Sequence, residues 1–218
     1  MTKKILIVSS TPNGLGLIRS DKEAKKIKRA HRQSTKKSNF ELFFEPAVSF
    51  QNFRQDIIDY QPNVLHFICH VSGEKQFCFE SDQHSQRIEK IEWFNISNTI
   101  IELCAIGHIQ MVFVNTCHSK EIAQNLHKIP PYVPTTIGIE GKWEDDCAIC
   151  LSETFYKHYF EGCTVNECIN QSKSELDKHY SNRSSPKVRD TSLYENLSGK
   201  KESPKNQIFL FQRHTTMK

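Results

Sequence analysis

The feature that most constrains this chain is a short, almost wholly apolar run that ends in a polar turn with a cysteine. Residues 109–114 read IQMVFV, and Asn115, Thr116 and Cys117 follow directly. Apolar runs of this length, stopped by polar residues, are typical of a central strand of a parallel sheet, which is buried on both faces. A polar helical segment begins at Ser119, so the pattern places Cys117 between the end of a buried strand and the start of a helix.

Cys117 therefore occupies a position suited to a nucleophile. In open α/β sheets, ligands bind in a crevice at the carboxyl ends of the strands. Unpaired N–H groups at a helix N-terminus carry partial positive charge, which favours the thiolate form of a nearby cysteine. Because a cysteine at a strand end is more often just a small buried apolar side chain, the assignment depends on a base close by.

A second strand supplies that base. Residues 64–69 read VLHFIC, another apolar run, and His70, Val71 and Ser72 follow. If the two strands lie parallel in one sheet, His70 and Cys117 emerge at the same edge, and the sequence predicts a Cys–His dyad. His66, inside the same run, is expected to point into the core.

The rest of the chain follows an alternating α/β pattern. Strands at 5–8, 40–44 and 64–69 alternate with helices that open near Ser20 and Ser49, which is typical of a parallel sheet with crossover helices. The later elements are a small strand at 76–80, helices at 93–104, 119–127, 146–159 and 164–179, and strands at 135–139 and 208–211.

Local signals set the boundaries of several elements. Ser20 with Glu23, and Thr164 with Glu167, have the spacing of a capping box at a helix start. Residues 81–90 are polar and predict a loop. Residues 181–206 are rich in Ser, Lys, Arg, Asn and Pro with almost no apolar residue, which predicts a long mobile loop.

Composition narrows the class of protein. A chain of 218 residues is long enough for one sizeable α/β domain, and neither an internal repeat nor a second core is visible, so residues 1–218 are predicted to form a single domain. A net charge of +4 is too weak to indicate nucleic-acid binding. Without an N-terminal signal pattern or an apolar run near the ~20 residues of a membrane span, no membrane association is expected. We expect a cytoplasmic protein whose eight cysteines are reduced.

No metal or cofactor is expected. Cys147 and Cys150, with Cys163 and Cys168, have a spacing that invites comparison with a zinc site, but the first pair falls within a predicted helix, which lacks the turn that a zinc knuckle needs. No P-loop or dinucleotide fingerprint is present. A flavodoxin-like signalling domain would need acidic residues after the first strand, where the chain has Ser9-Ser10-Thr11.

Several segments together resemble a known family. HFICH at 66–70 and VFVNTCHS at 112–119 are similar to the paired signatures of caspase-like (clan CD) cysteine peptidases, and more narrowly to the CHAT domain. His70 precedes Cys117 by 47 residues, close to the separation of about 50 typical of caspases. KILIVSSTP at 4–12, LIRSDKEAKKIK at 17–28 and TTIGIEG at 135–141 also resemble the family, in the same order along the chain.

The resemblance implies a fold and an activity. The fold would be a caspase-like three-layer α/β/α sandwich around a mostly parallel sheet. Cys117 would attack the scissile carbonyl of a protein substrate, with His70 as acid and base, and backbone N–H groups of Val71 and Cys117 would hold the oxyanion. Such domains often cut one specific protein partner in bacterial conflict or defence systems. Activation would come from a regulatory protein partner or from cleavage within 181–206.

The chain departs from the family pattern at two places. Glycine commonly stands on both sides of the histidine, where this chain has Cys69 and Val71. Metacaspases carry an aspartate two residues before the cysteine, where this chain has Asn115. The first departure keeps open an alternative in which the module is catalytically inactive and binds a protein partner through the same groove.

Three acidic residues follow the strand at 135–139 and are further candidates for a substrate pocket that accepts Arg or Lys. They are Glu140, Asp145 and Asp146, and Asn115 is a candidate for the same pocket. For Asp145 and Asp146, capping of the following helix is an equally good interpretation.

Overall fold

A computed structural model describes residues 2–16, 18–72, 76–81, 88–104, 109–128, 133, 135–141, 143–181 and 207–212. Its eight strands are β1 (Lys3–Ser10), β2 (Phe40–Glu45), β3 (Val64–Val71), β4 (Gln76–Glu80), β5 (Ile88–Glu92), β6 (Met111–Val114), β7 (Thr135–Glu140) and β8 (Gln207–Gln212). Its six α-helices are α1 (Ser20–Gln33), α2 (Phe50–Tyr60), α3 (Trp93–Cys104), α4 (Lys120–Lys128), α5 (Asp145–Phe160) and α6 (Val165–Ser181), with one 3₁₀ turn at Lys37–Asn39.

The strands form one mostly parallel sheet. Its order is β2-β1-β3-β6-β7-β8, and all neighbours are parallel except β7 and β8, which are antiparallel. The antiparallel hairpin of β4 and β5 continues from the carboxyl end of β3. The predicted strands that carry the His70 and Cys117 segments are therefore neighbours and parallel.

Helices cover both faces of this sheet. Ile27 of α1, Leu151 of α5 and Ile169 of α6 pack on one face, and Phe53 of α2, Ile96 of α3 and Ile122 of α4 pack on the other. Residues of β3 and β6 contribute to both cores, because side chains alternate along a strand. The predicted three-layer α/β/α sandwich is confirmed.

One of the two predicted capping boxes is present and the other is wrong. Thr164 and Glu167 form reciprocal hydrogen bonds at the start of α6, with Thr164 N–H to Glu167 Oε2 at 2.7 Å and Glu167 N–H to Thr164 Oγ1 at 3.3 Å. At α1 the N-cap is Arg19, with no side-chain cap. Glu23 instead turns into the core, where its carboxylate accepts from His66. Donors in the core cannot bond to water, so they need the Glu23 carboxylate more than the first N–H groups of α1, which water can reach.

The loop predicted at 81–90 is also partly wrong. Ile88–Glu92 forms β5 and pairs with β4, while residues 82–87 lie outside the described part of the chain. Ile88 and Ile91 lie three residues apart among charged residues, so the sequence lacks the period-two alternation typical of a strand. Pairing with β4 makes this segment a strand. Of the predicted loop at 181–206, only Ser181 is described, as the end of α6. None of the helices in the described residues has the length and apolar character needed to cross a bilayer. The single domain over 1–218 stays a prediction.

Candidate active site

His70 lies at the carboxyl end of β3, and Cys117 lies in the turn that follows the neighbouring strand β6. In the parallel pairing of β3 with β6, Phe67 lies beside Val114, and the Asn115 N–H continues the ladder by donating to the Phe67 carbonyl at 3.1 Å. His70 follows the Phe67–Val114 pair by three residues within β3, and Cys117 follows it by three residues in the turn beyond β6. His70 shares a face of β3 with Ile68, and Cys117 packs against the same core, so both lie on the side of the sheet that α1 and α5 cover.

The ring of His70 is held by a backbone carbonyl. The Nε2 atom of this half-buried residue lies 2.5 Å from the carbonyl oxygen of Gly16, in the connection between β1 and α1. A carbonyl only accepts hydrogen bonds, so Nε2 carries the proton and donates it. In the neutral ring, the lone pair is then on Nδ1, which is the atom that can act as a base.

The sulfur of Cys117 is held by the segment that follows β7. Cys117 is half-buried, and its Sγ accepts a hydrogen bond from the Trp143 backbone N–H at 3.3 Å. The next residue, His118, has a positive φ of 58° and donates its N–H to the Gly141 carbonyl at 3.1 Å. Two backbone contacts thus tie the turn after β6 to residues 141–143.

A buried serine completes this turn. The hydroxyl of Ser119 donates to the Val114 carbonyl at 2.8 Å and accepts from the Ile139 N–H at 2.9 Å. It therefore links the end of β6 to the end of β7 directly beneath the Cys117 turn. Ser119 is fully buried, so neither backbone group can turn to water instead.

The backbone N–H of Val71 points towards the β6 side of β3. Phe67 bonds towards β6, since its carbonyl accepts from Asn115, whereas Ser72 donates its N–H to the Gln76 carbonyl at 2.8 Å on the β4 side. Backbone groups of successive strand residues point to opposite neighbours. By this alternation Val71, like Phe67, directs its N–H away from β4 and to the side on which Cys117 lies, as an oxyanion donor would require.

Glycine is not needed beside the histidine in this chain. Cys69 and Val71 both lie within β3, and neither has a positive φ. A β-branched side chain fits ordinary strand backbone well. Both side chains face the core formed with α2 and α3.

Asn115 lies in the interior, beneath the Cys117 turn. Its Nδ2 atom lies 2.6 Å from Glu23 Oε1, 2.9 Å from Ser152 Oγ and 3.1 Å from the Ala148 carbonyl oxygen. The side chain of Asn115 is buried. The amide nitrogen of this proposed pocket residue is therefore already engaged by α1 and α5.

The three acidic pocket candidates all pair with basic residues of this chain. Asp145 and Asp146 receive the guanidinium of Arg19, with contacts of 2.5 and 2.6 Å. Glu140 pairs with Lys120 at 3.1 Å. The N-cap of α5 is Glu144 without a side-chain cap, so the capping interpretation of Asp145 and Asp146 is wrong.

The pairing also explains the acidity of one carboxyl group. Burial alone would raise the pKa of Asp146, but hydrogen bonds from Lys22 and Arg19, together with their charges, lower it to about 2. The same contacts raise the pKa of Arg19, chiefly through Asp145. Both partners are therefore charged across the ordinary pH range.

Several of the other thiols are held in the neutral form. Burial raises the pKa of Cys69, Cys78 and Cys150, and it raises that of Cys168 to about 12. Thiolate is the reactive form of cysteine, so these four are poor nucleophiles. Within the described residues, no three His, Cys, Asp or Glu side chains come together as a metal site would require.

Sequence reasoning missed the residues that contact His70 and Cys117. Gly16 and Trp143 act through backbone atoms, which leave no trace in side-chain patterns. Arg19 could have been recognised from the sequence. The helix dipole disfavours a basic residue directly before a helix N-terminus, so such a residue indicates an acidic partner elsewhere in the chain.

Comparisons with known proteins agree with this fold. No protein-family model matches the chain. A "Probable protease" of Gillisia limnaea is 27% identical over 162 residues, and a "Roc-COR-CHAT protease" of an unknown prokaryotic organism is 26% identical over 165 residues. Each alignment covers 73% of this chain, but 27% of the first relative and 15% of the second. The chain thus corresponds to a minor part of either relative.

A solved structure shares the fold. The crystal structure of the Drosophila initiator caspase Dronc matches 96% of this chain and 79% of its own, with a TM-score of 0.54. The sequence identity is 9%, so this similarity concerns the fold alone. Together with the two curated relatives, it confirms the resemblance to CHAT and caspase-like peptidases.

Proposed function

We propose that this chain, which is similar to caspase-like peptidases of the CHAT type, is a cysteine endopeptidase that uses His70 and Cys117 as its catalytic dyad. The observation that carries the proposal is that His70 lies at the carboxyl end of β3 and Cys117 lies in the turn after the neighbouring parallel strand β6, on the same side of the sheet. The contact of His70 Nε2 with Gly16 adds to it, because it leaves Nδ1 as the base.

The chemistry follows from these positions. Nδ1 of His70 takes the proton from Sγ of Cys117, and the thiolate attacks the scissile carbonyl carbon. The tetrahedral oxyanion is stabilised by the N–H groups of Val71 and Cys117, a kind of donor whose loss costs roughly 10²- to 10³-fold in rate. His70 then protonates the leaving amine. Water hydrolyses the thioester, returning Cys117 and the carboxylic acid.

The substrate in this proposal is a specific protein partner, cut within a bacterial defence or conflict system in the cytoplasm. This context rests on the resemblance to the CHAT family. Activation would come from a regulatory protein or from cleavage within 181–206. Because the chain matches only part of each relative, the target and the activator belong to this proposal as well.

A second candidate function is an inactive module that binds a protein partner through the same groove. The observation behind it is the replacement of the two family glycines by Cys69 and Val71. Against it stands the ordinary strand backbone at both positions, where neither residue has a positive φ.

Cleavage of a bacterial proteome separates the two functions. Wild-type protein and the Cys117→Ala and His70→Ala variants are incubated with extract, and new N-termini are quantified by mass spectrometry, with Cys163→Ala as a matched control. We expect new termini at a restricted set of sites with the wild type and with Cys163→Ala, and none with the two dyad variants. New termini that persist with Cys117→Ala would contradict the proposal. Binding of a protein from the extract by the wild type without any new termini would also contradict it.

A further inference from the structure

Arg19 is the centre of a cluster of charges beside the candidate dyad. Its Nε atom lies 2.5 Å from Asp145 Oδ2, and its terminal nitrogen lies 2.6 Å from Asp146 Oδ1. The Arg19 backbone N–H donates to Asp145 Oδ1 at 3.2 Å, and Lys22 adds a contact of 3.2 Å to Asp146. Arg19 thus contacts Asp145 through both its side chain and its backbone, and Asp146 through its side chain.

The cluster joins the two segments that hold the dyad. Gly16, whose carbonyl accepts from His70, precedes Arg19 by three residues in the connection into α1. Trp143, whose N–H donates to Cys117 Sγ, precedes Asp145 by two residues at the start of α5. A displacement of either segment relative to the other would change the distance between imidazole and sulfur.

The geometry is stronger than that of an ordinary surface ion pair. The side chains of Arg19, Asp145 and Asp146 are 37%, 22% and 38% exposed, so the strength of the cluster comes from its geometry and not from burial. Short charge-assisted bonds from one planar guanidinium to two carboxylates fix direction as well as distance. The two aspartates lie in the first turn of α5, where the helix dipole favours negative charge.

We propose that Arg19, Asp145 and Asp146 are positioning residues, which hold the Gly16 segment and the Trp143 segment together and thereby set the His70–Cys117 geometry. This inference rests on the proposed function. It assigns the two aspartates a role inside the enzyme instead of one in binding a basic substrate residue. Their carboxylates are already engaged by the chain's own guanidinium, which a substrate would have to displace.

The chain contains a matched control. Lys26 and Glu153 join the same two helices, α1 and α5, with a contact of 2.9 Å and exposures of 35% and 36%. This pair lies two turns further along α5 and contacts neither dyad segment. If the Arg19 cluster only fastened α1 to α5, loss of either pair would have similar consequences.

The test compares Arg19→Gln and Asp145→Asn with Lys26→Gln and Glu153→Gln. Cys117 alkylation by iodoacetamide is measured across pH, together with kcat and KM on a substrate found by the proteome screen. For Arg19→Gln and Asp145→Asn we expect a displaced pH profile of alkylation and a fall in kcat of about 10- to 100-fold with little change in KM. Arg19→Lys should restore part of the loss, and the control variants should stay within about twofold of wild type.

Two results would overturn the inference. One is an alkylation profile for Arg19→Gln that equals that of Lys26→Gln. The other is a pair of opposite effects on cleavage after basic residues: it becomes faster in Arg19→Gln and is lost in Asp145→Asn. That pair would show that the aspartates form a substrate pocket.

A further readout does not depend on turnover. The NMR chemical shift of the His70 Nε2 hydrogen, which reports its contact with the Gly16 carbonyl, should change in Arg19→Gln and not in Lys26→Gln. If the protein proves inactive, a shift specific to Arg19→Gln still supports the positioning role and only the peptidase assignment fails. An unchanged chemical shift overturns the inference itself.

Discussion

His70 Nε2 and the carbonyl oxygen of Gly16 lie 2.5 Å apart, so a backbone atom determines which ring nitrogen of the candidate base carries the proton. The contact depends on the position of the Gly16 backbone and not on the absence of a side chain. An added Cβ at Gly16 would lie 3.9 Å from His70 Cε1, which is an ordinary van der Waals distance.

Substitution at these two positions should therefore have very different effects. Gly16→Ala keeps the carbonyl and should retain kcat within about threefold, whereas His70→Ala removes the general base and should lower kcat by about 10²- to 10⁴-fold. Steady-state cleavage of one substrate by both variants checks this. A large loss in Gly16→Ala, or a small one in His70→Ala, would contradict the assigned roles.

Ser119→Ala should destabilise the fold more than another buried serine does. Its removal leaves the buried Ile139 N–H without its acceptor, at a cost of about 1–3 kcal/mol. Ser97 is equally buried, and among the described residues it donates to the Trp93 carbonyl of its own helix and accepts from no backbone N–H, so Ser97→Ala should cost less than about 1 kcal/mol. Urea unfolding of the two variants measures the difference, and equal midpoints would show that the Ser119 link contributes little.

Glu23→Ala should be among the most damaging substitutions in the chain. Glu23 Oε1 accepts from His66 Nε2 at 3.1 Å, Asn115 Nδ2 at 2.6 Å and Ser152 Oγ at 2.5 Å, all inside the core. Loss of the acceptor leaves three buried donors, and we expect a loss of about 3–5 kcal/mol in the free energy of unfolding.

A partly exposed glutamate provides the comparison for Glu23. Glu153→Ala on α5 should cost less than about 1 kcal/mol, since its pair with Lys26 is screened by water. Glu23→Gln keeps one acceptor oxygen and should fall between the two. A cost for Glu23→Ala no larger than that for Glu153→Ala, measured by thermal unfolding, would mean that the buried donors find other partners.

Asp56 should make the protein more stable in mild acid than at neutral pH. Burial, and then the charges of Glu45 and Asp59, raise the pKa of Asp56 to about 6. In the unfolded chain this pKa returns to about 4, so the folded state binds the proton more tightly between those values, and stability is lost as pH rises through about 6. Asp56→Asn should therefore stabilise the fold at pH 7 by about 1 kcal/mol, after allowance for solvent screening, and have little effect at pH 4. An equal effect at both pH values in urea unfolding would contradict this.

The apolar runs of the sequence predicted the centre of the fold because their physical cause is local. β3 and β6 are buried on both faces, and almost wholly apolar runs are typical of central strands in a parallel sheet. The same pattern predicted correctly that His66 points inward, where it is fully buried. Burial raises the pKa of Tyr156 well above its ordinary value, so its hydroxyl keeps the proton and can donate it to His66 Nδ1.

The support around the candidate site could not be predicted, because it depends on contacts between distant segments. Glu23 has the spacing of a capping residue, and only the buried donors of β3, β6 and α5 explain why it turns inward. Arg19 meets Asp145 across 126 residues, and Trp143 reaches Cys117 through a backbone N–H. No single-sequence pattern encodes such encounters.

The reactivity of Cys117 tests the dyad most directly. The protein is treated with a limiting amount of an iodoacetamide probe near pH 7, and the labelling rate of each cysteine is read by peptide mapping in wild type and His70→Ala. The half-buried Cys163 provides the reference within the same molecule. We predict that Cys117 is labelled at least about tenfold faster than Cys163, and that His70→Ala removes most of this advantage. Equal labelling of Cys117 and Cys163, or a Cys117 rate that does not change without His70, would contradict the account.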